Sequence, residues 1–168
     1  MNAPDLDGIV ACKVLVVGIG NPDRGDDGIG AAVLERLAGR LPADVGTLAR
    51  RGDMLALIDD CAGVDALVCV DATAPTGMPG RIRRIDAVAE TVPHDVSFAS
   101  SHALGLAEAI ELARTLGTAP PAMVVYAVEG MRFDDGVGLS PPVMRVVEEV
   151  ADRVVADVER LRRGPAGS

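Results

Sequence analysis

Residues 13–30 of the chain read KVLVVGIGNPDRGDDGIG. Positions 13–17 form a short apolar run that ends at a glycine, which predicts a strand buried on both faces. Positions 18–27 are rich in glycine and aspartate and predict a loop. From 28 to 41 apolar residues recur every four positions, so a helix is expected there, ended by a proline. This order of strand, loop and helix is typical of α/β domains.

The rest of the chain continues the alternation of strands and helices. Residues 80–86 mix isoleucine with three arginines, which predicts an edge strand with a solvated arginine face. Three other apolar or alternating runs predict strands at 45–51, 66–70 and 122–128. Further helices are predicted at 54–62, at 104–116 and from the proline pair 141–142 onwards.

These elements predict an α/β fold, namely a three-layer α/β/α sandwich around a mostly parallel, five-stranded sheet with one antiparallel edge strand. No repeat or linker divides the chain. We therefore expect one α/β domain over residues 13–163, with an N-terminal extension at 1–12 and a flexible tail at 164–168. The stretch from 87 to 101 lacks periodicity and is the longest candidate for a functional loop.

Composition and charge exclude several classes of function. The chain has 168 residues, 49% of them hydrophobic, and 25 acidic against 16 basic residues give a formal net charge of −9. This charge opposes binding to nucleic acids and anionic membranes. The chain also shows no secretion signal and no apolar run long enough to span a bilayer, so a cytoplasmic location is expected. The three cysteines are interpreted as packing residues.

The loop after the first strand carries two adjacent carboxylates, Asp26 and Asp27. One interpretation is helix capping, since negative charge is favourable at the positive end of a helix dipole. The other is cation binding, because the surrounding glycines leave room for an ion to approach. The same loop begins like a dinucleotide fingerprint, but Asp23 occupies the position of the third glycine and argues against a nucleotide.

Two more polar residues, Asp71 and His102, follow predicted strands or precede a helix. Asp71 comes directly after the strand at 66–70, where it either forms a turn or belongs to a site. His102 lies at a junction between a loop and a helix, whereas His94 is interpreted as a surface residue. In parallel sheets, ligands bind beyond the carboxyl ends of the strands, so Asp27, Asp71 and His102 can face one crevice.

One imidazole and two carboxylates suit a borderline divalent ion such as zinc or nickel. Three protein ligands also leave coordination positions open for water or substrate. An ion held in this way can polarise a peptide carbonyl or activate water for hydrolysis of an amide. Spacing alone leaves catalysis and recognition open.

Four blocks of sequence in order resemble the endopeptidases that mature nickel-iron hydrogenases. They are Gly18-x-Gly20-Asn21 with Asp26-Asp27-Gly28-x-Gly30, then Val70-Asp71-Ala72, then His102-Ala103-Leu104-Gly105-Leu106, and finally Gly138-Leu139-Ser140-Pro141. The resemblance covers about positions 13–160. It departs from the family at Arg51-Gly52-Asp53, where relatives often have Gly-Gly-Thr, and at Ala103, where many have Gln.

The resemblance implies a specific activity and a specific site. Enzymes of this family trim a C-terminal extension from the hydrogenase large-subunit precursor after nickel has been inserted. By this resemblance Asp27, Asp71 and His102 are the metal-binding positions, and Asp26 orients neighbouring groups. The nickel is then supplied by the substrate, although zinc or cadmium can occupy such a site, and the free protein is expected to be a monomer.

Two other functions compete with this interpretation. The opening glycine turn also resembles peptidyl-tRNA hydrolases, but positions 23–30 contain no histidine and the net charge of −9 disfavours tRNA. A non-enzymatic nickel carrier or scaffold would use the same three ligands. Such a carrier is expected to bind nickel tightly by itself and to cut nothing.

Overall fold

The computed structural model describes residues 12–93, 96–98 and 105–164. These residues form a five-stranded sheet in the order β2-β1-β3-β5-β4. The three pairs among β1, β2, β3 and β5 are parallel, and edge strand β4 runs antiparallel to β5. The strands are β1 Val14–Ile19, β2 Gly46–Arg50, β3 Ala66–Thr73, β4 Ile82–Asp86 and β5 Ala122–Glu129. The predicted mostly parallel sheet with one antiparallel edge strand is confirmed.

Helices cover both faces of the sheet and complete the three-layer sandwich. A 3-10 turn at Gly25–Gly28 leads into α1 Ile29–Leu37, and the remaining helices are α2 Met54–Asp60, α3 Leu106–Leu116, α4 Pro141–Met144 and α5 Val147–Arg162. Helices α1, α4 and α5 pack on one face, against residues such as Val16 and Val70. Helices α2 and α3 pack on the other, against residues such as Val17 and Cys69. No helix in the described part of the chain is long and apolar enough to cross a membrane.

Two glycines bring β1 and α1 into direct backbone contact. A Cβ atom on Gly18 would lie 2.5 Å from the carbonyl oxygen of Gly30, and one on Gly30 would lie 2.5 Å from the backbone nitrogen of Ile19. Any side chain there would force the helix away from the strand. The close approach places the loop between them, which carries Asp26 and Asp27, directly over the end of the sheet.

Among the predicted elements, three differ most from the structure in their bounds. Helix α1 ends at Leu37 instead of position 41, because Ala38 leaves helical geometry and Gly39 adopts a φ of +76°. Strand β3 does not stop at position 70, since its pairing with β5 continues to Thr73 and places Asp71 inside the strand. The final helix is divided into α4 and α5, with Val146 between them at φ −101° and ψ −4°.

Arg84, on the predicted solvated arginine face of β4, is exposed as predicted, but its guanidinium also binds a buried carboxylate. Its Nε and Nη2 atoms donate to Asp157 of α5 at 2.8 and 2.9 Å, and Tyr126 Oη donates to the same carboxylate. Burial alone would raise the pKa of Asp157, but the bonds from Arg84, Tyr126 and Arg160 outweigh it and lower that pKa to about 2. This network ties the antiparallel edge strand to the helix layer.

Candidate active site

The carboxyl ends of β1, β3 and β5 lie together at one edge of the sheet, and a loop leaves each of them. These loops comprise residues 20–28, 74–80 and 130–140. Asp27 lies in the first loop and Asp71 near the end of β3. Both side chains are buried, although carboxylates are rarely buried without a partner. This edge is therefore the candidate active site.

The backbone around Asp27 holds its carboxylate in place. Asn21 donates its backbone N–H to Asp27 Oδ2 at 2.8 Å, and Arg24 Nη1 lies 4.0 Å from the same oxygen. Gly20 has a φ of +118°, and a Cβ on it would lie 2.1 Å from the carbonyl oxygen of Asp27. Only glycine allows the loop to close over Asp27 in this way. The N-cap position of α1 belongs to Gly28, so neither aspartate occupies it.

The carboxylate of Asp71 is almost completely enclosed, with 1% of the residue exposed. Its Oδ1 accepts the backbone N–H of Ala72 at 2.8 Å. Its Oδ2 accepts no hydrogen bond from any residue that the structure describes. Burial raises the pKa of Asp71 well above its ordinary value, and the charge of Asp27 raises it further. The hydrogen bond from Ala72 lowers the pKa, but by less. An orphaned buried carboxylate oxygen beside a second carboxylate is suited to sharing a cation.

The third predicted ligand, His102, lies outside the described residues, as does His94. Within the described ranges, no three or more His, Cys, Asp or Glu side chains come together as a possible metal site. The structure thus brings Asp27 and Asp71 close enough for their charges to interact. The full set of three ligands stays a prediction.

The carboxylate of Asp26 binds the loop after β5. Its carboxylate accepts the backbone N–H groups of Met131, Arg132 and Ser140 at 2.7, 3.1 and 2.7 Å, and the hydroxyl of Ser140 at 2.7 Å. Burial acts to raise its pKa, but these hydrogen bonds together outweigh burial and lower it. Because its oxygens are engaged in this way, Asp26 acts by holding the 130–140 loop.

Backbone contacts join that loop further to the loop after β1. Gly25 donates to Val137 O at 2.8 Å, and Gly136 donates to Asp23 O at 2.7 Å. Gly25 has a φ of +55°, and a Cβ on it would lie 2.5 Å from the carbonyl oxygen of Arg132. The two loops therefore form one structural unit around Asp26.

Sequence reasoning missed Glu129, the last residue of β5. It is 2% exposed, and its carboxylate accepts three hydrogen bonds from Thr76 and Met78, in the loop after β3. An acidic residue directly after an apolar strand was the same signal that drew attention to Asp71. Its partners, more than 50 positions away, were not visible in the sequence.

The segment that departs from the resemblance, 51–53, lies at the same edge, after β2. Asp53 is the N-cap of α2 and accepts the backbone N–H of Ala56 at 3.0 Å. Arg51 Nη1 lies 3.5 Å from Asp23 Oδ2, and both side chains are exposed. The polar residues here therefore cap a helix and line the rim of the site.

The cysteines offer no nucleophile among the described residues. All three are free thiols, and Cys61 and Cys69 are buried. Burial raises the pKa of Cys61 to about 11 and raises the pKa of Cys69 still more strongly. Because the thiolate is the reactive species, these thiols are inert packing groups.

Comparison with known proteins gives a consistent result. The family model for hydrogenase maturation proteases matches residues 43–157. The chain is 30% identical over 149 residues to the hydrogenase 2 maturation protease of Escherichia coli strain K12, which covers 86% of this chain and 89% of the relative.

Solved structures agree with the sequence comparison. The hydrogenase maturating endopeptidase HybD from Escherichia coli superposes with a TM-score of 0.73 at 26% identity, covering 88% of this chain and 93% of that one. The solution structure of an endopeptidase from Escherichia coli gives a TM-score of 0.76 at 27% identity with the same coverage. The likeness extends over nearly the whole length of each chain.

Proposed function

Because the chain belongs to the hydrogenase maturation protease family and is an endopeptidase, we propose that it removes the C-terminal extension of a nickel-loaded [NiFe]-hydrogenase large-subunit precursor. The substrate's own nickel is the recognition element, and Asp27, Asp71 and His102 are its ligands. The observation that carries this proposal is the orphaned, buried Oδ2 atom of Asp71 beside Asp27. A cation arriving with the substrate satisfies both carboxylates at once.

The donor set fits a borderline divalent ion that is already partly coordinated elsewhere. Two carboxylates and one imidazole leave open positions for groups that belong to the precursor. Asp27 is held ready by Asn21 and Arg24, which reduces the reorganisation needed when the ion arrives. Zinc or cadmium can occupy the same donors in the absence of precursor.

Binding the substrate's metal places the scissile bond at this edge of the sheet. The ion supplies Lewis acidity, which polarises the peptide carbonyl or lowers the pKa of a water molecule. The protein supplies position, since Asp27 and Asp71 fix the ion relative to the loops at 74–80 and 130–140. This mechanism needs no cysteine nucleophile, and Cys61 and Cys69 are buried with raised pKa values.

The test is mass spectrometry of a cognate large-subunit precursor co-expressed with this protein, with and without nickel. We expect loss of a C-terminal peptide only with nickel and the intact protein, and a full-length precursor with Asp27→Asn, Asp71→Asn or His102→Ala. Asp59→Asn, an exposed aspartate on α2, is the matched control and should cleave normally.

Two results would contradict the proposal. Cleavage without nickel would overturn recognition through the metal. A full-length precursor in the presence of nickel and the intact protein would overturn proteolysis of that substrate, and tight nickel binding by the isolated protein would then favour the carrier.

A further inference from the structure

Glu129 is a buried carboxylate that metal recognition does not use. It ends β5 and is paired in register with Thr73 of β3, two residues beyond Asp71. Two residues of strand span about 7 Å, so Glu129 lies close to the candidate active site. Its carboxylate points into the loop at 74–80, which connects β3 to edge strand β4.

The side chain of Glu129 organises this loop. Oε1 accepts the backbone N–H groups of Thr76 and Met78 at 2.6 and 2.8 Å, and Oε2 accepts the Thr76 hydroxyl at 2.7 Å. Arg81 Nη2 lies 3.4 Å from Oε2. The backbone adds two bonds, from Gly80 N to Glu129 O at 2.8 Å and from Glu129 N to Arg81 O at 2.9 Å. The loop therefore has a fixed path over the end of β5.

The fixed loop displays an apolar side chain to solvent. Met78 is 58% exposed, although its backbone amide is held by the buried Glu129. Met131, two residues beyond Glu129, is 55% exposed, and its amide is held by the buried Asp26. Two exposed methionines are thus each anchored through the backbone by a buried carboxylate at the same edge of the sheet. Methionine is adaptable and is common at protein-binding surfaces.

We propose that Glu129 is a positioning residue for precursor recognition, which fixes the 74–80 loop so that Met78 contacts apolar residues of the precursor beside the scissile segment, next to Met131 of the loop that Asp26 anchors. This proposal rests on the proposed function, because it requires a protein substrate at Asp71. The protein that contacts these methionines is the precursor, because Met78 and Met131 lie at the same edge of the sheet as the site where its peptide bond must be cut. The contact adds affinity that the metal ligands alone do not provide.

The role of Glu129 is specific to its charge and to its two oxygens. Glutamine has nearly the same shape, but its amide nitrogen cannot accept a hydrogen bond. Whichever way the amide is turned, one set of donors in the loop faces an NH2 group. Glu129→Gln should therefore loosen the loop, and amide hydrogen exchange at Thr76 and Met78 should become at least about tenfold faster.

The deciding experiment measures KM and kcat for cleavage of the nickel-loaded precursor. Met78→Ser and Glu129→Gln should each raise KM about 5- to 10-fold with little change in kcat, as expected when burial of half a methionine side chain is lost. The double variant should be no worse than either single variant within a factor of about two, because both remove the same contact. Leu116→Ser is the matched control, since Leu116 is 60% exposed at the far end of α3.

Each outcome decides the proposal. An unchanged KM in Met78→Ser overturns the proposed contact between Met78 and the precursor, even if Glu129→Gln fails to fold. An unchanged KM in a folded Glu129→Gln protein overturns the positioning role, and so does an equal rise in KM for Leu116→Ser. If the unaltered protein cuts no precursor, the proposed function fails and this role falls with it. Normal cleavage by the unaltered protein together with unchanged KM values overturns only the present inference.

Discussion

At the scale of single residues, two adjacent aspartates have different surroundings and different roles. Asp26 and Asp27 are adjacent, yet Asp26 is surrounded by backbone donors from 131–140, whereas Asp27 contributes its charge to Asp71. Burial raises the pKa of a carboxylate, and hydrogen bonds to its charged form lower it. At Asp26 the hydrogen bonds together outweigh burial and lower the pKa. At Asp71 burial outweighs the single hydrogen bond and raises the pKa. The residue with the less favourable environment is the better candidate for function.

Asp71→Asn tests whether the native carboxylate at position 71 lowers the free energy of unfolding. Removing an unsatisfied buried carboxylate beside Asp27 should raise the free energy of unfolding by about 1–2 kcal/mol in the presence of a chelator, because functional sites often carry such a cost. Urea denaturation measures the change. Asp59→Asn, on the exposed side of α2, should leave the free energy unchanged, and a loss of stability in Asp71→Asn would contradict this account.

At the scale of elements, the contact between β1 and α1 depends on having no side chains. The backbone atoms of Gly18, Ile19 and Gly30 lie so close that an added methyl group would overlap them. This contact sets the direction in which the loop at 20–28 leaves the sheet. It therefore sets the position of the loop, while the backbone N–H of Asn21 holds the carboxylate of Asp27.

Gly30→Ala should lower the free energy of unfolding by about 3 kcal/mol, since overpacking against backbone cannot be relieved by a change of rotamer. Thermal unfolding monitored by circular dichroism measures the loss. Gly138→Ala is the control, because a Cβ at Gly138 meets no atom within 4 Å. Equal stability of the two variants would show that the two elements separate at little cost.

At the scale of the whole molecule, aliphatic packing joins the described layers, and two sets of ion pairs add to it: Arg50 of β2 with Asp60 of α2, and a network around Asp157. Asp157 of α5 binds Arg84 of β4 and Tyr126 of β5, and this holds the edge strand against the helix layer. The rest of the interior contains chiefly valine, leucine, isoleucine and alanine, in a chain of which only 2% is aromatic. The network therefore contributes orientation that a uniform aliphatic core does not specify.

The network should make stability depend on acid pH. The pKa of Asp157 is about 2 in the folded protein and about 3.9 in an unfolded chain, so the unfolded state binds more protons between these values. Stability from this group is fully present above roughly pH 4 and is lost as the pH falls towards 2. Lowering the pH from 5 to 3 should reduce the urea midpoint of unfolding less in Asp157→Asn than in the unaltered protein. Asp59→Asn, an exposed residue of α2, is the control variant.

The packed interior should also protect two of the three cysteines. Burial raises the pKa of all three thiols, but Cys61 and Cys69 are buried, whereas Cys12 is partly exposed. Brief alkylation at pH 8 followed by mass spectrometry should therefore modify Cys12 before the other two, and all three in urea. Rapid native modification of Cys69 would show that the α2 and α3 side of the core opens readily.

The sequence by itself determined the fold class and the edge of the sheet where the candidate site lies. Alternation of apolar runs and helical periodicity is local, and parallel strands bring their carboxyl ends to one edge, so Asp27 and Asp71 could be selected from position alone. Only the tertiary structure decided what these side chains touch. The partners of Asp26 lie 105 to 114 positions away, and those of Glu129 more than 50 away. Burial, orphaned oxygens and loop anchoring depend on which distant groups fill the space around a carboxylate, and no local pattern encodes that.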